Sequence, residues 1–319
     1  MIKFTPEQIA NFPVAHLSFS AIRCYMADRQ LFFKRYIRLE FEDFTSPSML
    51  EGKAYHKALE SIWNIKKGGG ELADEHWQFV NDIAHEYIVK TAETGNVDFG
   101  KTGSPDKSLK VVEQALKFYR AEFPEYMPLH IESKITTECA DLNGEILPVP
   151  LKIVYDLVTE REGALEIVDH KLVTTYQNED EGSAAFELQA GSSFFTAWAK
   201  FGRQPARMIF DQVKKSKNSD GTVQRQPYII EFFDANGNPH PCLDRFIEIY
   251  RRVVMELAGL PLVDEAGTMR FIPNPFDMMS GEESWKDFCT EVSAGAPVTR
   301  EEIQALKAKA DQVEALLID

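Results

Sequence analysis

The stretch LKIVYDLVTEREGALEIVDHKL, residues 151–172, decides the fold of this chain. Two runs rich in Val, Ile and Leu flank the triplet Arg-Glu-Gly at 161–163, a pattern that predicts strand, tight turn and strand. If Glu-Gly forms a two-residue turn, counting outward from it pairs Asp156 with Asp169. We therefore expect the Cβ atoms of these two aspartates to face each other across antiparallel strands, about 4.5–5.5 Å apart.

This pair of aspartates has a chemical use. Two like charges that close repel each other unless a cation lies between them. Because side chains alternate along a strand, Lys171 shares a face with Asp169, whereas His170 points away and offers only its backbone carbonyl there. Two carboxylates and a lysine are the groups that a divalent metal needs to help water attack a phosphodiester. The alternative for the hairpin alone is a salt-bridged face of an edge hairpin.

The composition narrows the class of protein. The chain has 319 residues, of which 44% are hydrophobic, so it can bury a large core. No run of about 18 apolar residues occurs, and the N-terminal MIKFTPEQIANF lacks the pattern of a secretory signal, so no membrane partner is expected. The four cysteines are far apart and form no C-x-x-C, which predicts free thiols in a reducing cytoplasm.

The charge of the chain limits its partners. A net charge of −15 argues against a generic binder of polyanions. Any contact with nucleic acid must therefore use a local basic groove on an acidic protein. The sequence offers two candidate clusters for such a groove, Lys34 with Arg35 and Lys214 with Lys215. Solvated surface lysines are the alternative for each cluster.

Periodicity predicts the other elements. The segment 17–37 carries apolar residues at helical spacing after Ser18 or Ser20 as N-cap, and TPEQIANF predicts a short helix before it. Further helices are expected near 49–67, 72–93, 106–122, 184–201, 242–258 and 298–318, and strands near 129–140, 206–214 and 226–233. Helices followed by a sheet that a helix interrupts predict an α/β core with helical additions.

A second signal lies upstream of the hairpin, in EGKAYHKALES. On a helix, Gly52, His56 and Glu60 fall on one flank of the apolar stripe. A neutral imidazole is a good ligand for Mn²⁺. An ordinary boundary histidine is the alternative for His56. Gly52 is harder to explain, because a glycine inside a helix costs about 1 kcal/mol relative to alanine.

Four motifs in order resemble the RecB-like branch of the PD-(D/E)XK nuclease superfamily, and within it nucleases of CRISPR adaptation. They are LSFSAIRCYMADRQLFFKRYI at 17–37, GKAYHKALE at 52–60, YDLV followed by IVDHK at 155–171, and ELQAGSSFF at 187–195. The resemblance spans roughly residues 17–290, most of the chain. It implies a restriction-endonuclease-like core, a mixed β-sheet flanked by helices, with helical additions at both ends.

The resemblance also implies a domain organisation and a site. A single nuclease domain, 1–319, would consist of a helical part at 1–125, a catalytic sheet core at 126–235 and a helical part at 236–319. The implied catalytic residues are Asp156, Asp169, Lys171 and Gln189, and the implied ligands of Mg²⁺ or Mn²⁺ are His56, Asp156, Asp169 and the carbonyl of His170. Glu132, on the strand before the hairpin, is a possible extra carboxylate.

The chain departs from the family pattern at several positions. Family members with an iron–sulfur cluster have four cysteines, but Asp28 occupies the first of these positions here and only Cys289 remains near the C-terminus. One thiol cannot hold such a cluster, so we expect none. Ser193 stands in place of the tyrosine of the Q-x-x-x-Y motif, and Tyr155 replaces the glycine before the first aspartate.

The expected function is a metal-dependent DNA nuclease, with exonuclease action preferred, in DNA processing, recombination or repair. The resemblance implies DNA as substrate, recombination or replication proteins as partners, and a cytoplasmic protein of a bacterium or phage. One alternative is a nuclease-fold protein that binds nucleic acid or a protein without cutting. Another is an interaction scaffold that uses the C-terminal segment REEIQALKAKADQVEALL.

Overall fold

A computed structural model describes residues 12–39, 45–101, 103–177, 183–218 and 224–259. The helix predicted at 298–318 and the position of Cys289 lie outside these residues, as does nearly all of TPEQIANF. The chain forms two compact units, one from Met1–Glu42, Thr136–Ile153 and Asp244–Asp319, the other from Asp43–Ile135 and Val154–Leu243. The organisation into one nuclease domain with three consecutive parts stays a prediction.

The first unit corrects one expectation. The predicted helix over 17–37 is interrupted: α1 covers Phe19–Ala27, α2 covers Arg29–Phe32, and a π-helical turn covers Phe33–Ile37. Asp28 causes the interruption, because its backbone is extended and its carboxylate accepts a hydrogen bond from the amide of Leu31, starting a new helix. Strand β1, Leu17–Ser18, precedes α1 and pairs in parallel with the first residues of β3, Leu151–Arg161.

The second unit begins with three long helices that form one layer. They are α3 (Pro47–Lys67), α4 (Asp74–Glu93) and α5 (Pro105–Ala121). Ser46 and Ser104 cap α3 and α5, each followed by a proline in the first turn, which explains why the periodicity located these helices well. Their apolar faces pack on the sheet, where the largest fully buried side chains include Tyr55, Trp63 and Tyr119.

The sheet is mixed and has six strands in the order β1-β3-β4-β5-β6, with β2 paired to β3 off this path. The remaining strands are β2 (Pro128–Thr137), β4 (Ala164–Val173), β5 (Arg207–Lys214) and β6 (Arg225–Glu231), while α6 (Ala184–Phe201) connects the parallel strands β4 and β5. Helix α7, Pro241–Gly259, follows the sheet. This architecture confirms the predicted mixed α/β fold. No helix in the described part of the chain has the length and apolar character needed to span a bilayer.

The central hairpin has the predicted register. Its pairs run from Arg161 with Ala164 to Leu157 with Val168. Glu162 and Gly163 have φ angles of 53° and 80°, as a type I′ turn requires at both central positions. The register therefore follows from the turn, even though Glu is an unusual residue for it.

Strand β3 changes at Asp156. Its pairing with β4 ends at Leu157 with Val168, so the expected pairing of Asp156 with Asp169 does not form. Tyr155 contacts α6 through a hydrogen bond to the carbonyl of Ser193, whereas Leu157 belongs to the core beneath α3–α5. Two residues that normally share a face thus contact opposite layers, so the strand is irregular at the aspartate.

Candidate functional site

Asp156 lies where the pairing of β3 with β4 stops, and its carboxylate takes the place of a backbone acceptor. One carboxylate oxygen accepts a hydrogen bond from the amide of His170 at 2.7 Å. The other oxygen lies 3.4 Å from Nδ1 of His56. The aspartate is buried, with 9% of its surface exposed. Asp156 therefore connects the hairpin to α3.

His56 comes from the middle of α3 and is half-buried. Its Nε2 donates a hydrogen bond to the backbone carbonyl of His170 at 2.7 Å, while its Nδ1 faces Asp156. The structure thus brings together three of the groups that the sequence nominates as metal ligands: an imidazole, a carboxylate and a carbonyl. As the strand period predicts, the ring of His170 points away from this site, toward Trp63 and Tyr119.

Glu132 completes the cluster. The ligand atoms of His56, Glu132 and Asp156 all lie within 4.8 Å of one another. Glu132 is on β2, where its φ of 44° is unusual for a residue with a side chain. Burial, and then the charge of Asp156, raise the pKa of Glu132 to about 7. The sequence suggested this residue only as an extra carboxylate, because its backbone conformation cannot be read from residue types.

Asp169 and Lys171 form a second group on the face of the sheet that α6 covers. The ammonium of Lys171 lies 2.6 Å from one carboxylate oxygen of Asp169. The other oxygen accepts a hydrogen bond from the amide of Gln189 at 2.7 Å. Gln189 therefore holds Asp169. Burial raises the pKa of Asp169, and the nearby Asp156 adds to the effect while Lys171 opposes it.

His56 and Asp156 stabilise each other's charged forms. Burial by itself lowers the pKa of His56, but the neighbouring carboxylate outweighs it and raises the pKa to about 9. Burial by itself raises the pKa of Asp156, but the charge and hydrogen bond of His56 outweigh it and lower the pKa to about 2. At neutral pH the imidazole is thus protonated, and its charge offsets that of the Asp156 carboxylate.

The two departures from the family motifs meet in the structure. The hydroxyl of Tyr155 donates a hydrogen bond to the carbonyl of Ser193 at 3.0 Å. Ser193 is fully buried, and its own hydroxyl donates to the carbonyl of Gln189. Tyr155, which replaces the family glycine, thus contacts Ser193, which stands at the position of the family tyrosine.

A buried ion pair beneath His170 was not anticipated from the sequence. The guanidinium of Arg225 binds both carboxylate oxygens of Asp211, at 2.6 and 3.0 Å. Asp211 is fully buried and lies 3.6 Å from Nδ1 of His170. The available signal was the acidic residue inside the apolar run MIFDQV, since a charge in a buried strand requires a partner.

The basic residues predicted to contact nucleic acid are distributed over both units. The ammonium of Lys215 binds Glu51 and Ser48 at 2.7 and 2.6 Å, and only 15% of its side chain is exposed. Lys214 binds Asn218 at 2.7 Å. Lys34 and Arg35 lie half-buried on the π-helical turn of the first unit. The role of these four cations in binding nucleic acid stays a prediction.

The donor set of the site fits a hard divalent cation. Carboxylate and carbonyl oxygens suit Mg²⁺ and Mn²⁺, and one imidazole is compatible with both. His56, Glu132 and Asp156 offer such atoms at distances that one ion could bridge.

Comparison with known proteins identifies the family of the chain. A search of the curated proteins finds no match. Nineteen chains of solved structures match. One of them, described as "Crystal structure of SSO0001", is 8% identical, and the alignment covers 73% of this chain and 85% of that chain with a TM-score of 0.27. A family model described as the PD-(D/E)XK nuclease superfamily matches residues 16–290. Because this match covers most of the sequence, the chain belongs to the PD-(D/E)XK nuclease superfamily.

Proposed function

We propose that this protein is a divalent-metal-dependent deoxyribonuclease of the RecB-like branch that degrades DNA from an end. The observation that carries the proposal is the convergence of His56, Glu132 and Asp156 within 4.8 Å, beside the strand that carries Asp169 and Lys171. An imidazole and two carboxylates in one place, with the carboxylate of Asp169 nearby, are expensive to keep without a cation, because the carboxylates repel one another. Phosphodiester hydrolysis uses such an arrangement.

Each residue has a proposed role. His56, Asp156, Asp169 and the carbonyl of His170 would hold Mg²⁺ or Mn²⁺, and Glu132 would add a further carboxylate. The bound ion supplies charge neutralisation at the phosphate and makes its water more acidic.

The groups on the α6 side position the water. Lys171 orients the attacking water and offsets the charge that develops on the phosphorus, for which its ammonium must leave the carboxylate of Asp169. Gln189 holds Asp169 in place through its amide.

The remaining parts of the proposal concern substrate and setting. The resemblance of the four sequence motifs to RecB-like nucleases supports DNA as substrate and exonuclease action in processing, recombination or repair. Recombination or replication proteins are the proposed partners, and the cytoplasm of a bacterium, with a bacterial or phage gene, is the proposed setting. Lys34, Arg35, Lys214 and Lys215 are proposed contacts for the DNA backbone.

Digestion of end-labelled DNA tests this function. With Mg²⁺ or Mn²⁺, we expect the purified protein to shorten single- or double-stranded DNA progressively from one end, and a chelator should stop the reaction. The measurement is the ladder of labelled products with time, with the label on either end in turn. The Lys171→Ala variant, purified in parallel, is the control for contaminating nucleases. Absence of cleavage with every divalent ion would favour a nuclease-fold protein that binds without cutting.

Metal binding should release a proton. His56 is protonated at pH values below its pKa of about 9, whereas an imidazole that binds a metal must be neutral. At pH 7.5 we therefore expect about one proton released per bound ion, and a metal affinity that rises about tenfold per pH unit between about pH 7.5 and 9. Titration calorimetry with Mn²⁺ in buffers of different ionisation enthalpy measures the release. A heat of binding that is independent of the buffer would contradict the role of His56.

The same pKa values determine how stability depends on pH when no metal is bound. The raised pKa of His56 contributes stability that is complete below about pH 6.5 and is lost as the pH rises through about 9. The lowered pKa of Asp156 contributes stability that is complete at pH values above the ordinary pKa of an aspartate. This stability is lost as the pH falls through about 2. The metal-free protein therefore keeps both contributions in weakly acidic solution.

A further inference from the structure

A pocket adjoins the candidate metal site and is not needed to hold a cation. Its volume is about 370 Å³, and it lies between α3, α4 and β2. His56 and Glu132 belong both to the pocket and to the metal site, so a ligand in the pocket would lie next to a bound ion. The rest of its lining comes from one face of α3 and from Tyr87 of α4.

Gly52 lines this pocket and has no structural reason to be glycine. A Cβ built at Gly52 would meet no atom within 4 Å in the part of the chain that the structure describes, so no neighbouring group there excludes a side chain. Its backbone is helical and does not require glycine, which in a helix interior costs about 1 kcal/mol relative to alanine. The bare backbone does enlarge the pocket. A role in admitting a ligand to the pocket would explain why residue 52 is glycine, which packing does not explain.

The pocket is lined by two lysines, two glutamates, a histidine and an aromatic ring. Lys53 and Lys57 lie one helical turn apart on α3, and both line the pocket. Lys57 is bound to Glu60 at 2.8 Å. Lys53 is exposed and makes no ion pair within the described residues. Cations next to an aromatic side chain are what proteins use to bind a nucleic-acid strand, the cations for its phosphates and the ring for a base.

We propose that this pocket binds one unpaired nucleotide of the cleaved strand, beside the scissile phosphate, with its base against Tyr87 and its phosphate toward Lys53. The proposal rests on the proposed nuclease function and adds the form of the substrate. A base in a duplex is stacked on both sides and cannot pack on a protein ring, so the strand must be single-stranded at this point. Gly52 leaves the room that the nucleotide occupies.

Gly52→Ala separates this role from a structural one, because the two effects have opposite signs. We expect the midpoint of thermal unfolding to rise by about 2 °C or more, since alanine favours the helix. We expect the affinity for a short labelled single strand, measured by fluorescence anisotropy in Ca²⁺, to fall about fivefold or more. A variant that is more stable and binds the strand as the wild type does would overturn the proposal.

Tyr87→Leu tests the stacking contact. The variant keeps an apolar side chain against the helical core but should bind the intact strand about tenfold more weakly. With a single abasic position moved along the strand, this penalty should disappear at one position only, where there is no base to stack. A penalty that is equal for all abasic strands would contradict the placement of the base.

Two controls and one comparison complete the test. Lys66→Ala removes a lysine of the same helix outside the pocket, and Phe79→Leu removes an exposed aromatic ring of the same helix as Tyr87; both should bind as the wild type does. Lys53→Ala should weaken binding about fivefold or more.

Cleavage of DNA is followed in parallel with Mg²⁺. Normal cleavage with unchanged binding by the pocket variants refutes only the pocket, whereas no cleavage by the wild type refutes the nuclease function.

Discussion

Replacing Asp156 by asparagine should lower kcat/KM for DNA cleavage about a thousandfold or more. Asparagine keeps the size of the side chain and one oxygen that can accept the hydrogen bond from His170, but it removes the negative charge. That charge holds His56 in place and would bind the ion, so the variant loses both the cation and the group beside it. Losses of this size are typical when a charge-stabilising group leaves an active site.

The measurement is the initial rate of cleavage of labelled DNA at saturating Mn²⁺, with circular dichroism to show that the variant is folded. Asp82→Asn is the matched control, because it removes an exposed aspartate of α4 that accepts a hydrogen bond from Gln78. This control should cleave at the wild-type rate. If Asp156→Asn retains cleavage within about tenfold of the wild type, Asp156 does not have the role proposed for it.

Arg225→Met should destabilise the protein by about 3–5 kcal/mol, the usual cost of removing one partner of a buried ion pair. Asp211 is fully buried, and the guanidinium binds both of its oxygens. Burial by itself raises the pKa of Asp211, but His170 and Arg225 outweigh it and hold the pKa below its ordinary value. Without Arg225 this carboxylate must be neutralised or stay charged in an apolar core, and both cost free energy.

Urea unfolding at neutral pH measures the loss. Arg203→Met is the matched control, since its ion pair with Glu160 is exposed and is expected to contribute about 1 kcal/mol or less. The double variant Asp211→Asn with Arg225→Met should recover part of the stability, because it removes the buried charge as well. Equal destabilisation by Arg225→Met and Arg203→Met would show that the buried pair has no special energetic weight.

The same ion pair links stability to the site. Asp211 contacts the ring of His170. The backbone amide of His170 donates to Asp156, and its backbone carbonyl accepts from His56. A shift of the ring would therefore move two atoms of the candidate metal site. Arg225 is a positioning residue in this sense, and its loss should also weaken the binding of Mn²⁺, by about 10- to 100-fold.

Local chemistry explains what the sequence predicted well. The hairpin register depends on a two-residue turn, and strand alternation places Asp169 and Lys171 on one face, so short stretches of sequence contain enough information for both. Likewise, a serine cap followed by a proline starts α3 and α5 close to where the helical periodicity begins. Local chemistry also explains why the helix predicted over 17–37 is interrupted, since the carboxylate of Asp28 competes with the helix for the backbone and periodicity does not register this.

The sequence by itself determined the order of the elements and the register of the hairpin, because each depends on neighbours along the chain. Only the tertiary structure decided that β3 leaves β4 at Asp156, that His56 enters from α3 between the carboxylate and the carbonyl of His170, and that Glu132 turns toward them. These contacts join positions far apart in sequence, and the packing of helices on the sheet sets their geometry. For the same reason the pocket beside Gly52 could not be read from the sequence, which showed a glycine in a helix but not the space that it leaves open.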